Sequence, residues 1–138
     1  MFFVVKKNQI ILLFLLIVTL LLAFFFSLTE KDKDAALCKK FLNEFGYSFN
    51  KKPYEKAKIH IPEGFGKVYE SYNLIQKEAG FDLTPLRGKT VTRYTFRLEG
   101  EDYTYANILI CDGIIHGGDL IDPSISGKIA PLIPKEKE

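Results

Sequence analysis

The sequence predicts an α+β protein: a single N-terminal transmembrane helix, then a small domain of two helices packed on an antiparallel sheet made of one strand plus a three-stranded meander. Three observations carry that reading. From Ile10 to Leu28 the chain is unbrokenly apolar, with Thr19 and Ser27 as its only hydroxyls and no charged side chain. Two later stretches repeat apolar residues at intervals of three and four and stop at glycine. Others alternate apolar with polar and include an Asp112-Gly113 hairpin signal.

The apolar run comes first because it sets the compartment of everything after it. At about 1.5 Å of rise per residue it covers roughly the 30 Å hydrocarbon layer of a bilayer, with its backbone polar groups paired internally. Lys6 and Lys7 precede it, whereas Glu30 to Asp34 beyond it carries mixed charge. The excess of lysine on the N-terminal side favours a cytoplasmic N-terminus and an exported C-terminal domain. A cleaved signal peptide is the competing reading, but the core is long, and Phe24, Phe25 and Phe26 crowd the cut near Ser27 where small residues are needed. The expected division is residues 1–30 as cytoplasmic stub and anchor, 31–121 as one extracytoplasmic domain, and 122–138 as a flexible tail.

Within the domain, Asp34 to Phe45 places Ala35, Leu37, Cys38, Phe41, Leu42 and Phe45 at helical spacing and ends at Gly46. Lys56 to Ile61 alternates as a half-buried strand closed by Pro62. A second helix runs from Phe65 to Ala79, with Gly80 beyond it. Thr90 to Leu98, Tyr103 to Cys111 and Ile114 to His116 form the meander, joined by Glu99 to Asp102 and by Asp112-Gly113. Helices on one side would leave the face bearing Arg93 and Arg97 wet or free to meet a partner. Gly117-Gly118-Asp119 reads as the end of the third meander strand, in a sharp bend or bulge. The tail from Asp122 contains Pro123, Gly127, Pro131, Pro134 and a terminal KEKE, a composition of loose docking.

Charge and cysteine content narrow the function classes. The chain has 138 residues, enough for one compact domain beyond the span. Without Lys6 and Lys7 its bases equal its 17 acids, so the exported part is formally neutral and has no field to draw nucleic acid. Its 2 cysteines, Cys38 and Cys111, both follow the span. An exported location permits a disulfide between them, but both sit in apolar patterns where lone thiols are also common.

Residues Phe41 to Asp119 carry a more specific signal: Phe41-Leu42, Gly46-Tyr47, Ile61-Pro62, Phe65, Val68-Tyr69, Tyr72-Asn73, Gln76-Lys77, Gly80-Phe81-Asp82-Leu83, Gly88-Lys89, Arg93-Tyr94-Thr95, Ala106-Asn107 and Gly117-Gly118-Asp119. In that order they resemble a domain-of-unknown-function family of small membrane-anchored or exported proteins of Gram-positive bacteria. The chain departs from the family at Tyr47, where tryptophan is usual, at His116, where an apolar residue is usual, and in the short turn Glu99 to Asp102. The resemblance implies the fold and an exported location, and no activity.

The candidate site is a polar stripe. Tyr72, Asn73 and Gln76 lie on or beside one side of the second helix, and with Arg93 and Arg97 of the sheet they can contact an envelope protein, peptide or glycan. The same amides can instead tie the helix to strand ends. Asp119 after two glycines fits either a site or an Asx-type turn. Cys111 and His116 flank the hairpin turn; if Cys111 pairs with Ile114 both project from one face, which would begin a thiol–imidazole pair for an envelope hydrolase or thiol enzyme. The spacing of His, Cys and Asp matches no metal motif, and no Gly-rich phosphate loop joins a strand to a helix. The reading is therefore a non-enzymatic binding module without cofactor, anchored in the bilayer through Ile10 to Leu28. The alternatives are the Cys111/His116 enzyme and a protease-inhibitor-like regulator.

Overall fold

The computed structural model describes residues 4, 6–29, 32–124 and 127–136. The expected boundary at 30–31 and the last two residues of KEKE lie outside them. The chain divides into two compact units, Met1–Asp32 and Lys33–Glu138.

The first unit is a helix, α1 (Lys7–Thr29). Its span Lys7–Ser27 has a mean hydropathy of 3.1 and is long and apolar enough to cross a membrane. The hydroxyl of Thr19 donates to the Leu16 carbonyl at 2.8 Å, so this polar group within the apolar run is satisfied inside its own helix.

The second unit has the elements α2 (Lys33–Glu44), β1 (Glu55–His60), α3 (Lys67–Glu78), β2 (Thr90–Arg97), β3 (Tyr105–Cys111), β4 (Ile114–Asp122) and β5 (Lys128–Pro131), with a turn of 3-10 helix at Thr84–Leu86. The strands form one antiparallel sheet in the order of the chain, β1-β2-β3-β4-β5. The α+β class follows the sequence, with one strand more than expected. At the β3–β4 hairpin Asp112 and Gly113 both adopt positive φ, 51° and 71°, as a two-residue primed turn requires.

The added strand corrects the expected tail. β5 pairs with β4 from Asp119↔Pro131 to Asp122↔Lys128. Beyond it Leu132 is fully buried, the Tyr47 hydroxyl donates to the Ile133 carbonyl at 2.8 Å, and the Lys135 N–H donates to the Phe45 carbonyl at 2.9 Å. Composition misleads here because Pro131 stands on an edge strand, where a missing N–H is tolerated. Gly117-Gly118-Asp119 is corrected too: these residues do not end a strand but run through the middle of β4. The bulge lies just before them, where the register shifts between Leu109 and Ile110. A Cβ on Gly117 would stand 2.8 Å from Gln76 Oε1, and one on Gly118 would stand 2.7 Å from Leu132 Cδ2. Close packing from both sides of the sheet, rather than a bend, requires the glycines.

The two helices lie on opposite faces, so the expectation of a single covered face is also corrected. Ala35, Cys38 and Leu42 of α2 pack with Tyr94, Phe96, Ala106, Ile108, Ile110 and Leu120 on one side. Tyr69 and Tyr72 of α3, with Leu83 and Leu86 of the following link, pack with Ile61, Val91 and Leu109 on the other. Period-two alternation puts Arg93, Thr95 and Asn107 on this second face, beneath α3.

Candidate functional site

Two of the stripe residues turn out to fasten α3. Asn73 donates from Nδ2 to Asp82 Oδ1 at 2.9 Å and accepts the Leu83 N–H on Oδ1 at 2.7 Å. Asp82 also accepts the Thr84 N–H at 2.9 Å. Hydrogen bonds from Asn73 and Thr84 hold the Asp82 carboxyl well below the usual carboxylate range. Gln76, fully buried, accepts the Gly118 N–H on Oε1 at 2.8 Å, and its Nε2 has no partner among the described residues. Asn73 thus braces the link after α3, and Gln76 pins the helix to β4.

Tyr72 belongs to a different construction. Thr95, Asn107 and Asp119 occupy one rung across β2, β3 and β4, all on the face beneath α3. The Thr95 hydroxyl donates to Asn107 Oδ1 at 2.7 Å, and Asn107 Nδ2 donates to Asp119 Oδ1 at 3.0 Å. From above, the Tyr72 hydroxyl donates to Asp119 Oδ2. Asp119 is 1% exposed, and burial pushes its carboxyl pKa up against the two hydrogen bonds and the Arg93 charge that favour ionisation. Burial, together with the Asp119 charge, pushes the Tyr72 phenol up.

Arg93 stands two residues before Thr95 on the same face. Its Nη2 donates to Glu55 Oε2 of the edge strand at 2.9 Å, while its buried Nε has no partner among the described residues. Together these groups enclose a cavity of about 200 Å³ lined by Ile59, Ile61, Tyr69, Tyr72, Arg93, Asn107, Leu109, Asp119 and Ile121. A second, apolar groove of about 530 Å³ shares Tyr69 and Tyr72 and continues past Val68 and Ile75 to Ile129 of β5.

Of the stripe and sheet residues singled out from sequence, Tyr72, Arg93 and Asp119 therefore meet at one cavity. Asn73 and Gln76 do not line it, and Arg97 is exposed outside it. Thr95, Asn107 and Glu55 were missed. An asparagine in the middle of the otherwise apolar strand Tyr105–Cys111 was the available signal.

The cysteines are separate. Neither forms a disulfide: Cys38 lies in the cluster under α2 and Cys111 at the cluster under α3, so the sheet lies between them and the possible bridge is corrected. Cys111 does pair with Ile114, but Ile110 pairs with Ile115 and Leu109 with Gly117, leaving His116 as the bulged residue without a rung. The Cys111 thiol lies 3.8 Å from Asp112 Oδ2, and burial together with that carboxylate pushes its pKa up, away from a thiolate. Among the described residues no group of three or more His, Cys, Asp or Glu side chains is placed to hold a metal ion.

A family described as a domain of unknown function (DUF4830) matches residues 41–119. No curated protein matches the chain, and no solved structure does. The match runs from within α2 to Asp119 of β4, takes in every polar group around the cavity, and covers more than half of the sequence; the chain therefore belongs to the DUF4830 family.

Proposed function

We propose that this protein is a non-enzymatic binding module, held at a membrane by α1 with its sheet domain on the outer side, and that the cavity under α3 receives an envelope ligand. The observation that carries this reading is the pre-set floor of that cavity. Thr95, Asn107, Asp119 and Tyr72 already satisfy one another. The cost of orienting them is met during folding and is not charged against a ligand. Lys6 and Lys7 ahead of the span support the outward orientation of the domain.

Binding is favoured over catalysis by how the reactive groups are occupied. Both oxygens of Asp119 already accept hydrogen bonds, and the Cys111 thiol is pushed away from ionisation. The test is native mass spectrometry of the full chain taken from its own membranes into lipid nanodiscs. Wild-type protein should carry a bound mass that Ile121→Trp, which fills the cavity, does not. A wild-type chain with no bound mass, or a filled variant that keeps it, overturns the reading.

A further inference from the structure

Beyond the cavity and independent of it, we infer that the open margin of β1 accepts an extended acidic segment of another protein as an additional strand of the sheet. The two outer strands are guarded differently. β5 has four residues and includes Pro131, which has no N–H to offer a further strand. β1 has six, Glu55–His60, with no proline and an unbroken register against β2. The Ile61 N–H donates to the Lys89 carbonyl at 2.8 Å, so by alternation the odd-numbered residues of β1 turn their backbone groups to β2. Lys58 and His60 therefore turn N–H and C=O outward, where no backbone group of the described residues meets them.

The side chains along this margin set the chemistry of the partner. Residues 51–60 hold four lysines, Lys51, Lys52, Lys56 and Lys58, all exposed, and Lys89, bonded to Ile61 through its carbonyl, is exposed beside them. The one acid among residues 51–60, Glu55, lies on the other face of the strand and is bonded to Arg93 at 2.9 Å; Glu63, past the strand's end, lies against Gly88. A domain whose formal charges cancel thus gathers cations at one margin, where they draw an acidic partner. Lys56, Lys58 and His60 share one face of β1, and Ala57 and Ile59 the other. The matching strand alternates, with aspartate or glutamate beside Lys56 and Lys58 and an aliphatic residue beside Ala57 and Ile59. The β1 of a second copy does not meet that requirement. In each antiparallel register centred on residue 57, 58 or 59, lysine faces lysine or His60. Polyphosphate and lipid phosphates match the charge but only accept hydrogen bonds, which leaves the outward carbonyls of Lys58 and His60 unmatched. A peptide backbone brings donors and acceptors at the spacing of a strand.

The experiment uses the isotope-labelled full chain in nanodiscs of zwitterionic lipid and follows hydrogen exchange at the Lys58 and His60 amides. Acetyl-(Glu-Val)3-amide should slow both amides and bind about tenfold more tightly than acetyl-(Lys-Val)3-amide, a difference of about 1.4 kcal/mol. Lys56→Glu combined with Lys58→Glu, both at exposed positions, should reverse that order; the order of the two peptides on wild-type protein stands as evidence without the variant. Inorganic polyphosphate, and nanodiscs containing phosphatidylglycerol, should leave the two amides exchanging as before, and protection by either overturns the partner class. Protection that needs no peptide and grows with the number of chains per disc assigns the margin to a second copy and overturns it equally. Equal binding of the two peptides, or binding that leaves Lys58 and His60 unprotected, overturns strand addition. None of these readouts bears on the mass lost with Ile121→Trp, so the margin and the cavity are tested separately.

Discussion

Asp119 concentrates the energetics of the site in one side chain. Its carboxylate is the acceptor for both Tyr72 and Asn107, so Asp119→Ala strands two buried donors. Each unsatisfied group costs about 1–3 kcal/mol, and the expected loss of stability is about 2–5 kcal/mol, read as a lowered denaturant midpoint. Tyr72→Phe removes one donor and should cost less than half as much. Burial raises the Asp119 pKa above its ordinary 3.8, so the stability this group contributes is present below that value and is lost as pH rises through the raised one. Asp82 has the opposite sign: its lowered pKa contributes stability above 3.8 that disappears on further acidification. The melting temperature should therefore climb as pH falls from 7 toward 4 and then drop. Asp119→Asn should flatten the first limb and Asp82→Asn the second. A wild-type profile that stays level from 7 to 4 would contradict the burial assigned to Asp119.

At the scale of elements, the fold depends on two contacts through glycines. Gly117→Ala drives a Cβ against Gln76 Oε1, the atom that accepts the Gly118 N–H, and should loosen α3 from β4 at a cost of about 1–3 kcal/mol. Leu132→Ala empties a fully buried position and should cost about 2–5 kcal/mol. A chain tolerant of Leu132→Ala, judged by hydrogen exchange across β4 and β5, would show that β5 is not part of the cooperative core. These contacts also mark where sequence reading stopped. Helical spacing in Lys33–Glu44 and Lys67–Glu78, alternation in β1 and β2, and the Asp112-Gly113 signal between β3 and β4 are local patterns and were legible, although β4 was read only as far as His116. The docking of β5 was not, because Leu132 gains its burial only from Gly118 and the far side of the sheet. Alternation within β2 separated Tyr94 from Arg93 but could not say that α3 covers the Arg93 side. Tyr72, Arg93 and Asp119 were each visible as polar residues in suggestive places. Their meeting required the register Thr95↔Asn107↔Asp119, which depends on long-range pairing and on the bulge beside His116.

On the scale of the whole molecule, an apolar helix precedes a domain whose charges balance. The full chain should sediment with membranes after carbonate washing and enter the supernatant only with detergent, as expected for a span of this hydropathy. Orientation is open to a reporter cysteine at Glu78, an exposed position of α3, in a chain carrying Cys111→Ala. On intact cells an impermeant maleimide should label it without permeabilisation; labelling only after lysis would reverse the proposed topology. The strand order has its own consequence. Since every strand hydrogen-bonds only to those before and after it in the chain, β2 to β5 can be added one ribbon at a time, while β1 alone waits across α3 for its mate, Glu55 pairing with Thr95. The last ribbon, β5, covers the open margin of β4 and delivers Leu132 into the space above Gly118. Clipping the protein after Asp122 would leave that margin bare and the interior unplugged, and such a fragment should self-associate through it.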